Sequence, residues 1–381
     1  MQRVVNNLPS VVLVAVVLAF IVFAGIDAMA ISLDPEAAEL IEQVQAHRDP
    51  ADNAYYALVG LQLPGRGDID ARGRSWAQGR VHASPHLTSA ALPNPGAFPA
   101  VAACQPSQMD CLAYYRSHAD RIRAAARTLH PLLAGYRHVI GHYREFYQID
   151  GSVAWGLDLI NVHSLYLFEL VQQWHRGERG RALHGLATET AFWRMILARA
   201  DTLFAKSLAA AVLGQDYGLA QEFVAACGAC GHRRLLKTML SPLSRRELDL
   251  VPALNREFVR TVRSFRKTWA RRNQATFPPR RYHYEENRAI NALYDMLRDE
   301  RRIARASPAR IQALAERLDA KYAERSGLWW KLERYLHPIS HALTAMSWRD
   351  PEQYVQTLCQ LDAFRARAAA ALAARSNPTP H

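Results

Sequence analysis

The sequence predicts an all-α protein: an N-terminal transmembrane helix followed by an irregular helical bundle or a short tetratricopeptide-like α-solenoid. Three observations carry this expectation. Ser10 to Ile26 (SVVLVAVVLAFIVFAGI) is one uncharged apolar run. After Asp110 most segments repeat apolar residues at the spacing of a helix with one buried face. No segment shows the alternation and paired turn residues of a hairpin.

The apolar run comes first. Its length as a helix is about 26 Å, at the short end of a bilayer span. A cleaved signal peptide ending at Ala28-Met29-Ala30 is the alternative. The anchor is preferred because the run is longer than a usual signal core, the segment before it carries only Arg3, and Asp27 crowds the cut. Either reading exports the rest of the chain. Asp27, Asp34, Glu36, Glu39 and Glu42 follow the run and no Lys or Arg appears until Arg48, so the positive-inside rule leaves the N-terminus in the cytoplasm. The expected layout is a cytoplasmic tail at 1–9, an anchor or uncleaved signal at 10–29, and juxtamembrane helices at 30–63. A Pro/Gly-rich loop or linker at 64–109, a helical domain at 110–375 and a disordered tail at 376–381 complete it. The expected location is the inner membrane, single-pass, with the bulk periplasmic.

The five cysteines suit an oxidising compartment. Cys104 and Cys111 lie close in sequence with Pro106 between them, and a disulfide is expected there. Cys227 and Cys230 form CGAC; with no strand before it, a structural disulfide is favoured over redox chemistry. Cys359 is left over.

The elements follow from caps and breakers. Asp34-Pro35 opens a helix to about His47. Asp52 to Leu61 forms a second short one. Glycines and prolines from Pro64 to Pro106, Gly73 and Gly79 among them, break any period. Helical patterning resumes at Asp110. His118 to Phe146 is one patterned stretch, interrupted at Pro131. Trp155 to Trp174 is apolar nearly all round and reads as the central buried helix, its Asp158, Asn161, His163 and Glu169 arguing against a second membrane span. A turn at His175 to Gly180 returns the chain into a helix from Arg181 to Leu213, giving a loose tetratricopeptide-like pair over Leu165 to Phe192. Gly214 and Gly218 then punctuate, before a short helix to Ala226. Ser244 and Glu247 form a capping box opening a helix to Trp269. Tyr284 to Arg305, Ser307-Pro308 to near Gly327, Leu328 to Met346, and Asp350-Pro351 to about Ala374 complete roughly eight to ten helices.

Few constellations carry chemistry. His138/His142 and His337/His341 have helical i,i+4 spacing, and Glu333 extends the second stripe by a turn, so these five residues are the candidate metal ligands. Neither pair contains HExxH. Arg256, Arg260, Arg263, Lys267, Arg271 and Arg272 give the densest basic segment, a candidate anion-binding face; a solvated helix face is the simpler reading. The net charge of +12 rests on abundant arginine in an Ala- and Leu-rich chain, and no nucleic-acid partner is expected. No phosphate loop, nucleophile elbow or triad spacing appears, and no cofactor or catalytic residue is assigned.

Asn53-Ala54-Tyr55-Tyr56 before the Pro/Gly segment, Asp110-Cys111-Leu112-Ala113 at the start of the helical region and Leu361-Asp362 in the last helix resemble membrane-anchored, mostly helical envelope proteins of Gram-negative bacteria. That resemblance implies no known activity, so it assigns no functional residue. The expected function is a non-enzymatic scaffold or interaction partner in the cell envelope. A metal-dependent hydrolase built on the histidine pairs, or a binder of anionic lipid or polymer through the basic face, are the alternatives.

Overall fold

The computed structural model describes residues 32–45, 51–63, 67–79, 104, 110–148, 157–227, 231–275, 286–324 and 351–374. Secondary structure there is helical, apart from an isolated bridge between Asn53 and Glu145. Helix starts obey the capping chemistry. In α1 (Pro35–Gln45) the Asp34 carboxylate accepts from the amides of Glu36 and Ala37. Asn53 caps α2 (Ala54–Gln62), Asp68 caps α3 (Ile69–Ala77) and Asp110 caps α4 (Cys111–Ser117). The stretch expected as one patterned unit divides into α5 (Ala119–Thr128) and α6 (His130–His142), with the interruption just before Pro131.

The centre is α7 (Leu157–His175), α8 (Arg179–Arg199) and α9 (Leu203–Cys227). Gly177, at a φ of +84°, makes the turn between α7 and α8. Helix α8 is packed by α6, α7 and α9, by the short α10 (Arg233–Met239) and by α11 (Arg245–Leu248), which the Ser244–Glu247 capping box opens. Outside lie α12 (Val251–Ala275), α13 (Glu286–Ala304), α14 (Pro308–Glu324) and α15 (Pro351–Ala374). Helix α15 lies along α9, and α1 packs on α12 and α13. One apolar core joins them all, from Ala37 to Leu372.

Three sequence expectations change here. Ile69–Ala77 is a helix inside the expected loop. Gly73 is not a breaker but the contact point of α3 with α2: a Cβ there would lie 1.9 Å from the Tyr56 carbonyl oxygen, and one at Gly60 would lie 1.7 Å from that of Ile69. Secondly, the helix expected over Arg181 to Leu213 is two. It breaks at Ala200–Thr202, where Thr202 Oγ1 accepts from the Ala205 amide and Asp201 pairs with Arg256. Thirdly, Gly214 and Gly218 lie inside α9 rather than punctuating it. Buried neighbours on both sides hold the helix through them, offsetting the roughly 1 kcal/mol that a helical glycine costs.

Among the described residues no helix is long and apolar enough to cross a membrane. The expected anchor at Ser10 to Ile26 lies outside them, as does the expected helix over Leu328 to Met346.

Candidate functional site

Three consecutive helices each place one ionisable side chain at the same point of the core. His163 projects from α7, Glu189 from α8 and Asp216 from α9, and all three are fully buried. The Glu189 Oε1 atom lies 2.8 Å from His163 Nδ1, and His163 Nε2 lies 3.9 Å from Asp216 Oδ1. One coordinating atom from each residue lies within 4.8 Å of the other two.

A chain of donors surrounds the centre. The Trp193 indole can only donate, and it donates to the Tyr136 hydroxyl over 2.8 Å. Tyr136 therefore spends its one hydrogen on Glu189 Oε1, 2.6 Å away. Oε1 thus accepts that bond and shares a second, 2.8 Å bond with His163 Nδ1, whose proton sits on Nδ1 when Glu189 is ionised. In that tautomer the remaining ring nitrogen, Nε2, carries a lone pair. Thr190 Oγ1 donates to Asp216 Oδ2 over 3.1 Å, so Asp216 is held as an acceptor too. Four buried atoms are left without a hydrogen-bond partner: His163 Nε2, Glu189 Oε2, Asp216 Oδ1 and the Oε1 of neighbouring Gln215. Gln215 is close enough to favour the charged form of His163, although neither atom completes a well-formed bond.

Burial dominates the electrostatics. It holds the Glu189 carboxyl well above the usual range, against the Tyr136 hydrogen bond. It does the same to Asp216, with the nearby Glu189 adding to the shift while His163 and Thr190 oppose it. It pushes the His163 imidazole down, against the pull of Asp216. Each group is driven toward its neutral form because the pocket supplies no counter-charge.

A cleft of about 550 Å³ lies alongside, between α6, α8 and α10. Tyr143, His184, Ala187, Met195 and Met239 line it, and Thr190 connects it to Asp216. Arg194 closes one wall, clamped to Glu247 at 2.6 Å and to the carbonyls of Ser241 and Pro242.

The residues expected from the sequence fall elsewhere. His138 and His142 stack on each other, ring centroids 5.1 Å apart, on the exposed face of α6, away from the buried centre. Glu333, His337 and His341 lie outside the described residues. Cys104 and Cys111 are disulfide-bonded, Cα atoms 5.6 Å apart, as the sequence indicated. Glu222 of α9 reinforces that junction by accepting from the Cys111 and Leu112 amides. Cys227 is disulfide-bonded and Cys359 is free; Cys230 lies outside the described residues. On the basic segment, Arg256 turns inward to Asp201 and Tyr147, Arg260 pairs with Glu257, and Arg266 pairs with Glu286. Arg263 and Lys267 are exposed, and Arg271 and Arg272 continue α12.

The buried centre escaped sequence reasoning because its members are 26 and 27 residues apart on three helices, so no short motif holds them. The available signal was a His, a Glu and an Asp, each among the polar residues of a largely apolar helix. No protein-family model matches this chain, and no curated protein or solved structure is significantly similar to it.

Proposed function

We propose that the chain is a single-pass protein of the inner membrane, with its helical domain on the periplasmic side acting as a scaffold or interaction partner for another envelope protein. The observation that carries this is the Cys104–Cys111 disulfide, a bond that persists in oxidising compartments and is rare in the cytosol. The apolar run Ser10 to Ile26 supplies the anchor. The cleft between α6, α8 and α10 supports the interaction role, since its half-buried Ala187 and Met195 offer apolar contact beside the exposed His184 and Thr188. The exposed Arg263 and Lys267 offer a subsidiary contact to anionic lipid or polymer.

Protease added to intact spheroplasts tests the topology. The expected result is digestion of the helical domain with the N-terminal tail protected. A protected domain, or free thiols at Cys104 and Cys111 in protein purified without reductant, would overturn the reading. Release of a chain beginning at Ile31 would replace the anchor with a cleaved signal. A photo-crosslinking residue at Ala187 should trap a discrete envelope protein in whole cells; no adduct would remove the cleft from the account.

A further inference from the structure

We propose that the buried centre of His163, Glu189 and Asp216 is the binding site of one divalent transition-metal ion, of the zinc class. His163 Nε2 and Asp216 Oδ1 are the direct ligands. Glu189 orients His163 through Nδ1 and supplies the second negative charge.

The centre holds buried polar atoms that have no partner. Buried polar atoms are almost always hydrogen-bonded, and a partly satisfied network costs more than an apolar one. Here the donors stand at the periphery: Trp193, Tyr136 and Thr190 all point inward. His163 Nε2 faces Asp216 Oδ1 and neither has a partner, with Glu189 Oε2 and Gln215 Oε1 also unpartnered; in the tautomer that donates through Nδ1, Nε2 offers its lone pair to an ion. A proton cannot bridge the first two, because 3.9 Å is too long for a hydrogen bond. It is within twice the zinc–nitrogen bond length of about 2.0–2.1 Å, so one ion reaches both atoms.

Charge gives the same answer. Two carboxylates and a neutral imidazole sum to −2, which a divalent cation cancels. A carboxylate hydrogen-bonded to the far nitrogen of a ligating histidine is the usual outer support of such sites, and the Tyr136 hydroxyl fixes that carboxylate in turn. Imidazole and carboxylate together suit zinc-class ions better than magnesium or calcium, which prefer oxygen alone. Access runs from the cleft past Thr190, which touches both. This inference stands on core geometry and does not depend on the membrane topology proposed above.

The test uses the full-length protein in detergent, stripped with a chelator and dialysed against Zn2+, Mn2+ or Co2+, with metal measured by mass spectrometry. One equivalent per chain is expected for Zn2+ or Co2+. Asp216→Asn and His163→Gln should abolish it, and Tyr136→Phe should weaken it by about 10–100-fold while keeping both ligands. The double variant His138→Gln/His142→Gln should bind like the parent. X-ray absorption on the parent protein gives a readout independent of variant folding: a nitrogen/oxygen shell with a single imidazole is expected. Failure of the stripped protein to take up any of the three ions would overturn the proposal. So would full binding by a folded Asp216→Asn, a shell with two or more imidazoles, or loss of binding in the His138/His142 variant.

Discussion

Asn53 and His163 are both fully buried, and both connect to the chain between Tyr136 and Tyr147, Asn53 directly and His163 through Glu189, yet they are finished differently. Asn53 Oδ1 accepts from the amides of Tyr55 and Tyr147, and its side-chain nitrogen donates to the Tyr147 carbonyl. The Ala54 amide adds a bond to the Glu145 carbonyl. Lys206 is built in the same style, its ammonium donating to the carbonyl of Leu197 and, at longer range, to those of Arg246 and Glu247. These nodes staple segments together and leave none of their own side-chain atoms unpartnered. The His163 centre holds three ionisable groups, and His163, Glu189 and Asp216 each keep an unpartnered atom. Gln62 and Asp201 each leave one buried oxygen unpartnered as well, but at the His163 centre three converging residues do so together, a shape suited to something that arrives later.

The largest effect should come from the scaffold around Asn53. Gly60→Ala or Gly73→Ala forces a methyl against a backbone carbonyl of the facing helix, so α2 and α3 must separate. We expect a loss of about 3 kcal/mol or more, against the roughly 1 kcal/mol gain that alanine gives in an unhindered helix. Urea unfolding measures it, and a neutral result would mean that the two helices are not in contact.

Asn53→Ala should cost about 2–3 kcal/mol, because it leaves the half-buried Tyr147 amide and carbonyl without this partner and removes the cap of α2. Replacing Cys104 and Cys111 together by serine should cost no more than about 2–3 kcal/mol, since the closed loop is short. Its signature should be easier proteolysis between residues 80 and 110, with helical content unchanged.

Lys206 tests a closed node through pH. Burial lowers its pKa to about 8, whereas the unfolded chain keeps about 10.4. Between those values the unfolded state binds more protons, so stability should rise as pH is raised from 8 to 10. Lys206→Met should remove that increment, read as the difference between parent and variant denaturation at the two pH values. The smallest effect should be that of Asp216→Asn on metal-free protein: less than about 1 kcal/mol, because burial already favours the neutral carboxyl, which the amide resembles, and Oδ1 has no partner to lose. A loss as large as that of Asn53→Ala would erase the distinction between the two regions.

What the sequence made legible was local. Asp34, Asp110 and Ser244 cap within three residues of themselves, so each is visible in a short window. The all-round apolar character of α7 identified it as central before any contact was known. The helix break at Ala200–Thr202 was hidden because Asp201 is held by Arg256, 55 residues away. Helix α3 was hidden because Gly73 looks the same in a loop as at a close helix crossing. The metal candidates read from i,i+4 spacing were drawn from single helices, whereas the buried centre takes one residue from each of three. Only the packing of α7, α8 and α9 makes His163, Glu189 and Asp216 neighbours.

The most direct test of the open-centre account is thermal unfolding of the parent, Asp216→Asn and Asn53→Ala proteins, each with excess Zn2+ and with chelator. An ion that binds only the folded state at 100 times its Kd adds about 2.7 kcal/mol. The parent and Asn53→Ala should both gain that increment, the latter from a lower baseline, and Asp216→Asn should gain nothing. Equal stabilisation of all three proteins, or none of the parent, would contradict the account.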